Sequence, residues 1–163
     1  MATETRALPT QPLREEHQEL LPHIDQLRVV ADGVGTLPGP ELRRKIEEVR
    51  TFLVDHLLRH ARAEEAALYP VVARALGAPG ATATMRRDHV EIGRLTAELG
   101  ALLDAPAGAE RDAALRRVLY GLDALVRVHF AKEEEVYLPI LDERLTPAEA
   151  RDLFAALERA AHA

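Results

Sequence analysis

Two segments of the sequence share an unusual arrangement of histidine, glutamate and proline. The segments HARAEEAALYP (60–70) and HFAKEEEVYLP (129–139) each begin with histidine, carry glutamate four and five residues later, and end with proline. Residues four apart in a helix lie on one face, one turn apart. Each histidine–glutamate pair can therefore offer one nitrogen and one oxygen atom to the same metal ion or to neighbouring ions.

A further histidine precedes each of these segments at a similar distance. His17 lies 43 residues before His60, and His89 lies 40 residues before His129. The chain thus consists of two similar halves, each with a lone histidine followed by His-x-x-x-Glu. This repetition indicates an internal duplication with pseudo-twofold symmetry.

Breaks rich in proline and glycine divide the chain into helical segments. These breaks are TLPGPE, GAPGAT and DAPAGAE, at 36–41, 77–82 and 104–110. They predict four long helices near 11–32, 41–76, 82–103 and 110–138. A shorter fifth helix is predicted to begin at Thr146, which can cap it, with Pro147 in its first turn and Glu149 completing a capping box.

The histidine–glutamate pairs fall on the apolar stripes of the second and fourth predicted helices. The second stripe also contains Ile46, Val49, Leu53, His56, Ala67 and Val71. The fourth also contains Val118, Leu122, Leu125, Val136 and Ile140. Long helices with short loops predict an all-α fold, an antiparallel up-down-up-down four-helix bundle over 11–141. A flexible N-terminus is expected at 1–10, and a short C-terminal helix packed on the bundle at 142–163.

The composition excludes several other kinds of site. The chain has no cysteine, which rules out disulfides, cysteine-type zinc sites, iron–sulfur clusters and thiol nucleophiles. Its net charge of −6 argues against nucleic acid as a partner. No segment approaches 18 apolar residues and the N-terminus lacks the apolar core of a signal peptide, so a cytoplasmic location away from membranes is expected.

Glutamates on buried stripes need a neutralising charge, because burial of an ionised carboxylate is costly unless it is paired or coordinates a cation. Neither stripe carries a basic residue, so the sequence predicts a pair of metal ions. The six expected ligands are His17, His60, Glu64, His89, His129 and Glu133. The first two histidines would bind one ion, the other two the second ion, and both glutamates would bridge. Mixed nitrogen and oxygen ligands with open positions suit non-haem iron, with manganese as the alternative.

Other residues near the two motifs have alternative interpretations. His56 lies one turn before His60 and is a seventh ligand, part of the site's lining, or a plain core or partly exposed histidine. Glu134 is either a solvated neighbour of Glu133 or replaces it as ligand. Tyr69 and Tyr137 either donate hydrogen bonds to the ligands or pack at the end of the bundle.

The same residues resemble the hemerythrin-like, or HHE cation-binding, domains. The resemblance covers roughly 13–141 and is most specific in the two segments that begin at His60 and His129. The stretches EEHQELLPHI and DHVEIGRL match the weaker first and third motifs of the family. The resemblance implies a di-iron centre with a bridging oxo or hydroxo group, which meets peroxide, dioxygen or nitric oxide.

The third helix departs from the pattern of the oxygen-carrying members, which use five histidines and a His-x-x-x-His pair there. Met85 and Gly93 occupy the positions four before and four after His89. Fewer nitrogen ligands favour reaction over reversible oxygen binding, so an oxidoreductase of catalase or peroxidase type is expected, as a monomer or homodimer. The alternatives are a module that senses or binds oxygen, nitric oxide or iron, and a di-iron oxygenase acting on an organic substrate.

Overall fold

The chain folds into four long antiparallel helices followed by a shorter fifth one. The computed structural model describes residues 8–163, and that part of the chain contains no strand. The first helix is Gln11–Gly33 and the third is Ala83–Asp104. The C-terminal helix is Pro147–Ala161 and begins with the predicted capping box of Thr146 and Glu149. The predicted all-α bundle is therefore confirmed.

The second and fourth helices contain π-helical turns. The second helix consists of Gly39–Phe52, Leu58–Ala63 and Tyr69–Leu76, separated by π-helical turns at Leu53–Leu57 and Glu64–Leu68. The fourth helix consists of Ala109–Lys132 and Leu138–Arg144, separated by a π-helical turn at Glu133–Tyr137.

The two π-helical turns that begin at Glu64 and Glu133 each precede a proline. In a regular α-helix, a proline ring clashes with the carbonyl group four residues earlier. Here the N–H of the residue before each proline donates to the carbonyl five residues back, from Tyr69 to Glu64 and from Leu138 to Glu133. The wider turn gives the helix room to pass the proline. The fourth helix therefore continues to Arg144, and the end predicted near 138 is wrong.

These turns also shift the buried face by one residue. In the second helix Leu68 and Val72 are buried, instead of the predicted Ala67 and Val71. In the fourth helix the predicted Val136 is 50% exposed. A π-helical turn takes one residue more than an α-helical turn to return to the same face. Before the glutamate of each motif, the predicted stripes are buried except for His56, which is exposed, and Leu125, which is half-buried. Beyond the glutamates they are wrong.

Two apolar clusters fill the bundle. The larger cluster fills the middle of the four long helices and the end of the bundle away from the C-terminal helix. It includes Leu27, Leu99 and Leu119. The smaller cluster joins the opposite ends of these helices to the C-terminal helix and includes Met85 and Leu153. Along each long helix, the expected metal ligands lie where one cluster gives way to the other.

The N-terminal segment 1–10, expected to be flexible, lies mostly outside the described residues. Thr10 is buried, and its N–H donates to Oδ1 of Asp142 at 2.8 Å. Within residues 8–163, no helix combines the length and the apolar composition needed to cross a membrane.

Candidate metal centre

Six side chains from the four long helices meet between the two apolar clusters, and each is at most 6% exposed. They are the six expected ligands, His17, His60, Glu64, His89, His129 and Glu133. Their inward atoms form two sets, within each of which the atoms lie within 4.8 Å of one another. We call these sets the first donor group, with His17, His60, Glu64 and Glu133, and the second donor group, with Glu64, His89 and His129. Glu64 belongs to both.

In the first donor group, imidazole nitrogens face carboxylate oxygens. Nε2 of His60 lies 2.8 Å from Oε1 of Glu64. Nε2 of His17 lies 3.3 Å from Oε2 of Glu133 and 3.7 Å from Oε1 of Glu64. The ring of His17 is stacked on Phe130 at a centroid distance of 4.1 Å, which fixes the direction of its nitrogen atoms.

In the second donor group, two imidazole nitrogens face each other. Nε2 of His89 lies 2.9 Å from Nε2 of His129 and 3.4 Å from Oε2 of Glu64. The Tyr69 hydroxyl group is buried beside them and donates to Oε1 of Glu133 at 2.9 Å. Tyr137, by contrast, donates to the backbone carbonyl of Ala81, away from both groups.

Each of the four histidines has a carboxylate behind it, at Nδ1. The Nδ1–oxygen pairs are His17 with Glu134 at 3.0 Å, His60 with Glu16 at 2.9 Å, His89 with Glu65 at 2.8 Å and His129 with Asp88 at 3.0 Å. We call Glu16, Glu65, Asp88 and Glu134 the outer carboxylates. A neutral imidazole carries one proton, and a carboxylate at Nδ1 holds it there. The Nε2 lone pairs are therefore directed inward, as metal binding requires.

The outer carboxylates follow the internal repeat. Glu16 and Asp88 directly precede the lone histidines, whereas Glu65 and Glu134 directly follow the inward glutamates. Glu16, Glu65 and Asp88 were not predicted to be parts of the site. An acidic residue immediately before the lone histidine in both halves was the available signal.

Two arginines extend the same repeat outward. Arg14 and Arg86 each lie three residues before a lone histidine. Arg14 donates to the backbone carbonyl of Glu134, and Arg86 donates to that of Glu65. In both halves of the centre, the inward donors are thus surrounded first by the outer carboxylates and then by an arginine.

The two further ligand candidates lie outside both donor groups. His56 is exposed and stacks on Phe52, because Leu53 and Leu57 occupy the buried face before His60. Glu134 contacts the outer nitrogen of His17, while Glu133 takes the inward position. The geometry therefore does not support either of them as a direct ligand.

The inward atoms are arranged for a cation. Within residues 8–163, five buried atoms of the first donor group find no hydrogen-bond partner: Nε2 of His17, Nε2 of His60, both carboxylate oxygens of Glu64 and Oε2 of Glu133. In the second donor group, the Nε2 atoms of His89 and His129 lie 2.9 Å apart, and in the neutral rings the carboxylates at Nδ1 favour lone pairs on both. Such lone pairs repel unless a cation lies between them. Metal–ligand bonds of about 2.0–2.2 Å place neighbouring ligands roughly 3 Å apart, which matches the observed spacing.

Without a cation, protons take its place. Burial lowers the pKa of His17, but the carboxylates of Glu133 and Glu64 outweigh this effect and raise it to about 9. Burial together with the negative charge of Glu64 raises the pKa of Glu133. For Glu64, burial acts in the same direction, but the facing imidazoles of His60, His129 and His17 hold its pKa well below the usual range. In the metal-free protein, a proton on His17 therefore neutralises part of the charge of the inward carboxylates.

The comparison with known proteins agrees with this geometry. The profile of the hemerythrin HHE cation-binding domain matches residues 8–141. That range includes all six inward side chains and the four outer carboxylates. No curated protein and no solved structure matches the chain significantly.

Proposed function

The chain belongs to the hemerythrin HHE cation-binding family, and we therefore propose that it holds two iron ions that bind and react with a small oxidant. The proposed oxidant is hydrogen peroxide or dioxygen, and the proposed activity is of catalase or peroxidase type. The observation that carries this proposal is the set of buried nitrogen and oxygen atoms in the first donor group without hydrogen-bond partners among the described residues.

The donors divide naturally between two ions. His17 and His60 would hold one ion and His89 and His129 the other, with Glu64 and Glu133 spanning them. Imidazole and carboxylate ligands with open positions suit iron in a redox role, and manganese would use the same donors. Iron, when bound, supplies the electrons that peroxide reduction requires.

The protein itself contributes orientation and exclusion of water. The outer carboxylates hold each imidazole with its Nε2 lone pair inward. The two apolar clusters on either side keep bulk water from the inward carboxylates. Four histidines are one fewer than the oxygen-carrying members use, which leaves more room for an exogenous ligand and supports reaction over carriage.

A surface cavity reaches His60, one residue of the first donor group. Its volume is about 270 Å³, and its lining includes Glu16, His60, Phe154, Leu157 and His162. Sites for organic ligands typically have volumes of about 300–1,000 Å³. The cavity lies near the lower end of that range, so it admits a small oxidant without requiring an organic substrate.

The test is metal content combined with turnover. Purified protein loaded with iron should hold two ions per chain and release oxygen from hydrogen peroxide. His60→Ala and His129→Ala should each lose metal, whereas His23→Ala, which changes an exposed histidine, should not. Circular dichroism confirms that each variant remains helical.

Three results would count against parts of this proposal. Full metal content in His60→Ala and His129→Ala would overturn the ligand assignment. Iron binding without consumption of peroxide would overturn the enzyme activity, and a spectral change with nitric oxide or dioxygen would then support the sensing alternative. Turnover only after loading with manganese would replace iron as the metal.

A further inference from the structure

We propose that Tyr69 is a metal ligand and coordinates the ion of the second donor group through its hydroxyl oxygen. This inference rests on the proposed metal centre and adds a donor outside the six residues of the two motifs. It makes the two ions chemically different, although the sequence repeat suggests two equivalent halves.

The first support is the position of the hydroxyl oxygen. Tyr69 is 1% exposed. Its oxygen lies 3.2 Å from Nε2 of His89 and 3.5 Å from Nε2 of His129, which are themselves 2.9 Å apart. These three atoms form a triangle whose edges have the length expected between neighbouring ligands of one ion, roughly 3 Å.

The second support is the count of protons at this triangle. When His89 and His129 are neutral, as metal binding requires, Glu65 and Asp88 favour their single protons at Nδ1. The Tyr69 hydroxyl has a single proton, and this proton is directed to Oε1 of Glu133. The remaining lone pairs of one oxygen and two nitrogens therefore face one another, and a cation among them satisfies all three.

The third support is the local helix geometry, which turns Tyr69 inward. Tyr69 is the fifth residue after Glu64, and in a regular α-helix it would be rotated from Glu64 by about 140°. The π-helical turn at Glu64–Leu68 instead makes the fifth residue complete one turn, and the Tyr69 N–H donates to the Glu64 carbonyl. Glu64 and Tyr69 consequently point to the same side.

The other half of the molecule lacks an equivalent oxygen. The residue that corresponds to Tyr69 in the repeat is Leu138, which is fully buried in the smaller apolar cluster. The first donor group instead borders the cavity at His60. The second ion would thus receive an additional protein ligand that the first ion lacks.

Coordination requires the loss of the hydroxyl proton. Burial and the nearby carboxylates of Glu64 and Glu133 raise the pKa of Tyr69, so in the metal-free protein it remains a hydrogen-bond donor. When a cation binds, the O–H bond breaks, a metal–oxygen bond forms and the proton leaves to solvent, because the charge of the ion reverses the local electrostatics. No oxidant or reductant is needed for this step.

The experiment compares the iron-loaded wild-type protein with Tyr69→Phe and with the matched control Tyr137→Phe. The control removes a partly buried hydroxyl group that donates to the Ala81 carbonyl, away from both donor groups. A phenolate bound to ferric iron produces a visible charge-transfer band. Laser excitation in that band enhances the ring vibrations of the tyrosine in the Raman spectrum. We expect both signals in the wild type and in Tyr137→Phe, and neither in Tyr69→Phe. Zinc titration should show at least tenfold weaker binding of one ion in Tyr69→Phe only.

The outcomes separate this inference from the proposed function. A wild-type protein that holds iron but shows no phenolate signal would overturn the role of Tyr69 and leave the metal centre standing. A phenolate signal that persists in Tyr69→Phe would also overturn it. A wild-type protein that binds no metal would remove both. If Tyr69→Phe fails to fold, the double variant Tyr120→Phe, Tyr137→Phe made with ring-deuterated tyrosine decides the matter, because Tyr69 is then the only tyrosine of the chain and a phenolate ligand must show shifted ring vibrations.

Discussion

The histidines of this centre depend on the groups behind them as much as on the groups they face. Each outer carboxylate fixes which nitrogen carries the proton, and each lies on a different helix from the histidine that it contacts. The four pairs are not equally protected. Glu16 has a side chain that is 50% exposed at the cavity, whereas Asp88 is 16% exposed and also contacts Lys132.

The role of the outer carboxylates can be tested at Glu16. We expect Glu16→Ala to weaken metal binding by about 10- to 100-fold, the usual effect of losing a carboxylate behind a histidine ligand. The neighbouring Glu15→Ala is the matched control, because Glu15 contacts only Gln11 at the surface among its described side-chain partners. Competition against a chromophoric chelator with zinc measures both. Equal affinities in the two variants would contradict a role for Glu16.

The sequence predicts the inward residues better than the outer ones. A histidine and a glutamate four apart in one helix are recognisable from spacing alone. The partnership of Glu16 with His60 joins two helices, and it becomes visible only when the rotation of both helices is known. The sequence also could not decide whether Tyr69 contacts the ligands, because in a regular α-helix Tyr69 would not lie on the same face as Glu64.

At the scale of the helices, proline and glycine determine the layout and π-helical turns determine the details. The breaks near 36–41, 77–82 and 104–110 predicted all four long helices, because these residues interrupt helix hydrogen bonding directly. The π-helical turns at Glu64–Leu68 and Glu133–Tyr137 have no comparable signature apart from the proline that follows. The extra residue in each turn explains why the predicted stripes failed beyond the motifs.

The C-terminal helix forms one wall of the cavity at His60, and we propose that small ligands enter there. We expect Ala161→Trp, which places a large ring in that cavity, to slow the binding of azide to the iron-loaded protein. A tenfold slower rate corresponds to about 1.4 kcal/mol of additional barrier. Stopped-flow absorbance measures the rate.

A matched control lies on the same helix. Ala156→Trp places the same ring in a separate cavity of about 400 Å³, lined by Val71, Arg74 and Arg144 among others. This variant should bind azide at the wild-type rate. If both variants match the wild type, small ligands reach the iron by a different route.

At the scale of the whole molecule, the centre joins all four long helices at one level. Metal binding should therefore stabilise the entire bundle. In the metal-free protein, protons bound to the histidines should provide only part of this stabilisation. The raised pKa of His17, about 9, means that the folded metal-free protein holds a proton more tightly than the unfolded chain, whose histidine has an ordinary pKa of about 6.5.

This difference gives the metal-free protein a defined pH dependence. Its stabilisation by protonated His17 is fully present below pH 6.5 and is lost as the pH rises to about 9. We expect the free energy of unfolding to fall across that window, by at most about 1.4 kcal/mol per pH unit for each such histidine. Urea unfolding with a chelator present measures it. Zinc-loaded protein should show no such fall, and a flat profile for the metal-free protein would contradict the expectation.

The carboxylates around the centre also bear on its electron chemistry. Glu64 and Glu133 together with the four outer carboxylates supply six negative charges around the space for two ions. Arg86 pairs with Glu65 and Lys132 pairs with Asp88, so two of these six charges are already neutralised. Two divalent ions would balance the remaining four, whereas two trivalent ions would leave an excess of two positive charges. A ferric pair should therefore bind an anion such as azide more tightly than a ferrous pair, and equilibrium titration of both oxidation states measures the difference.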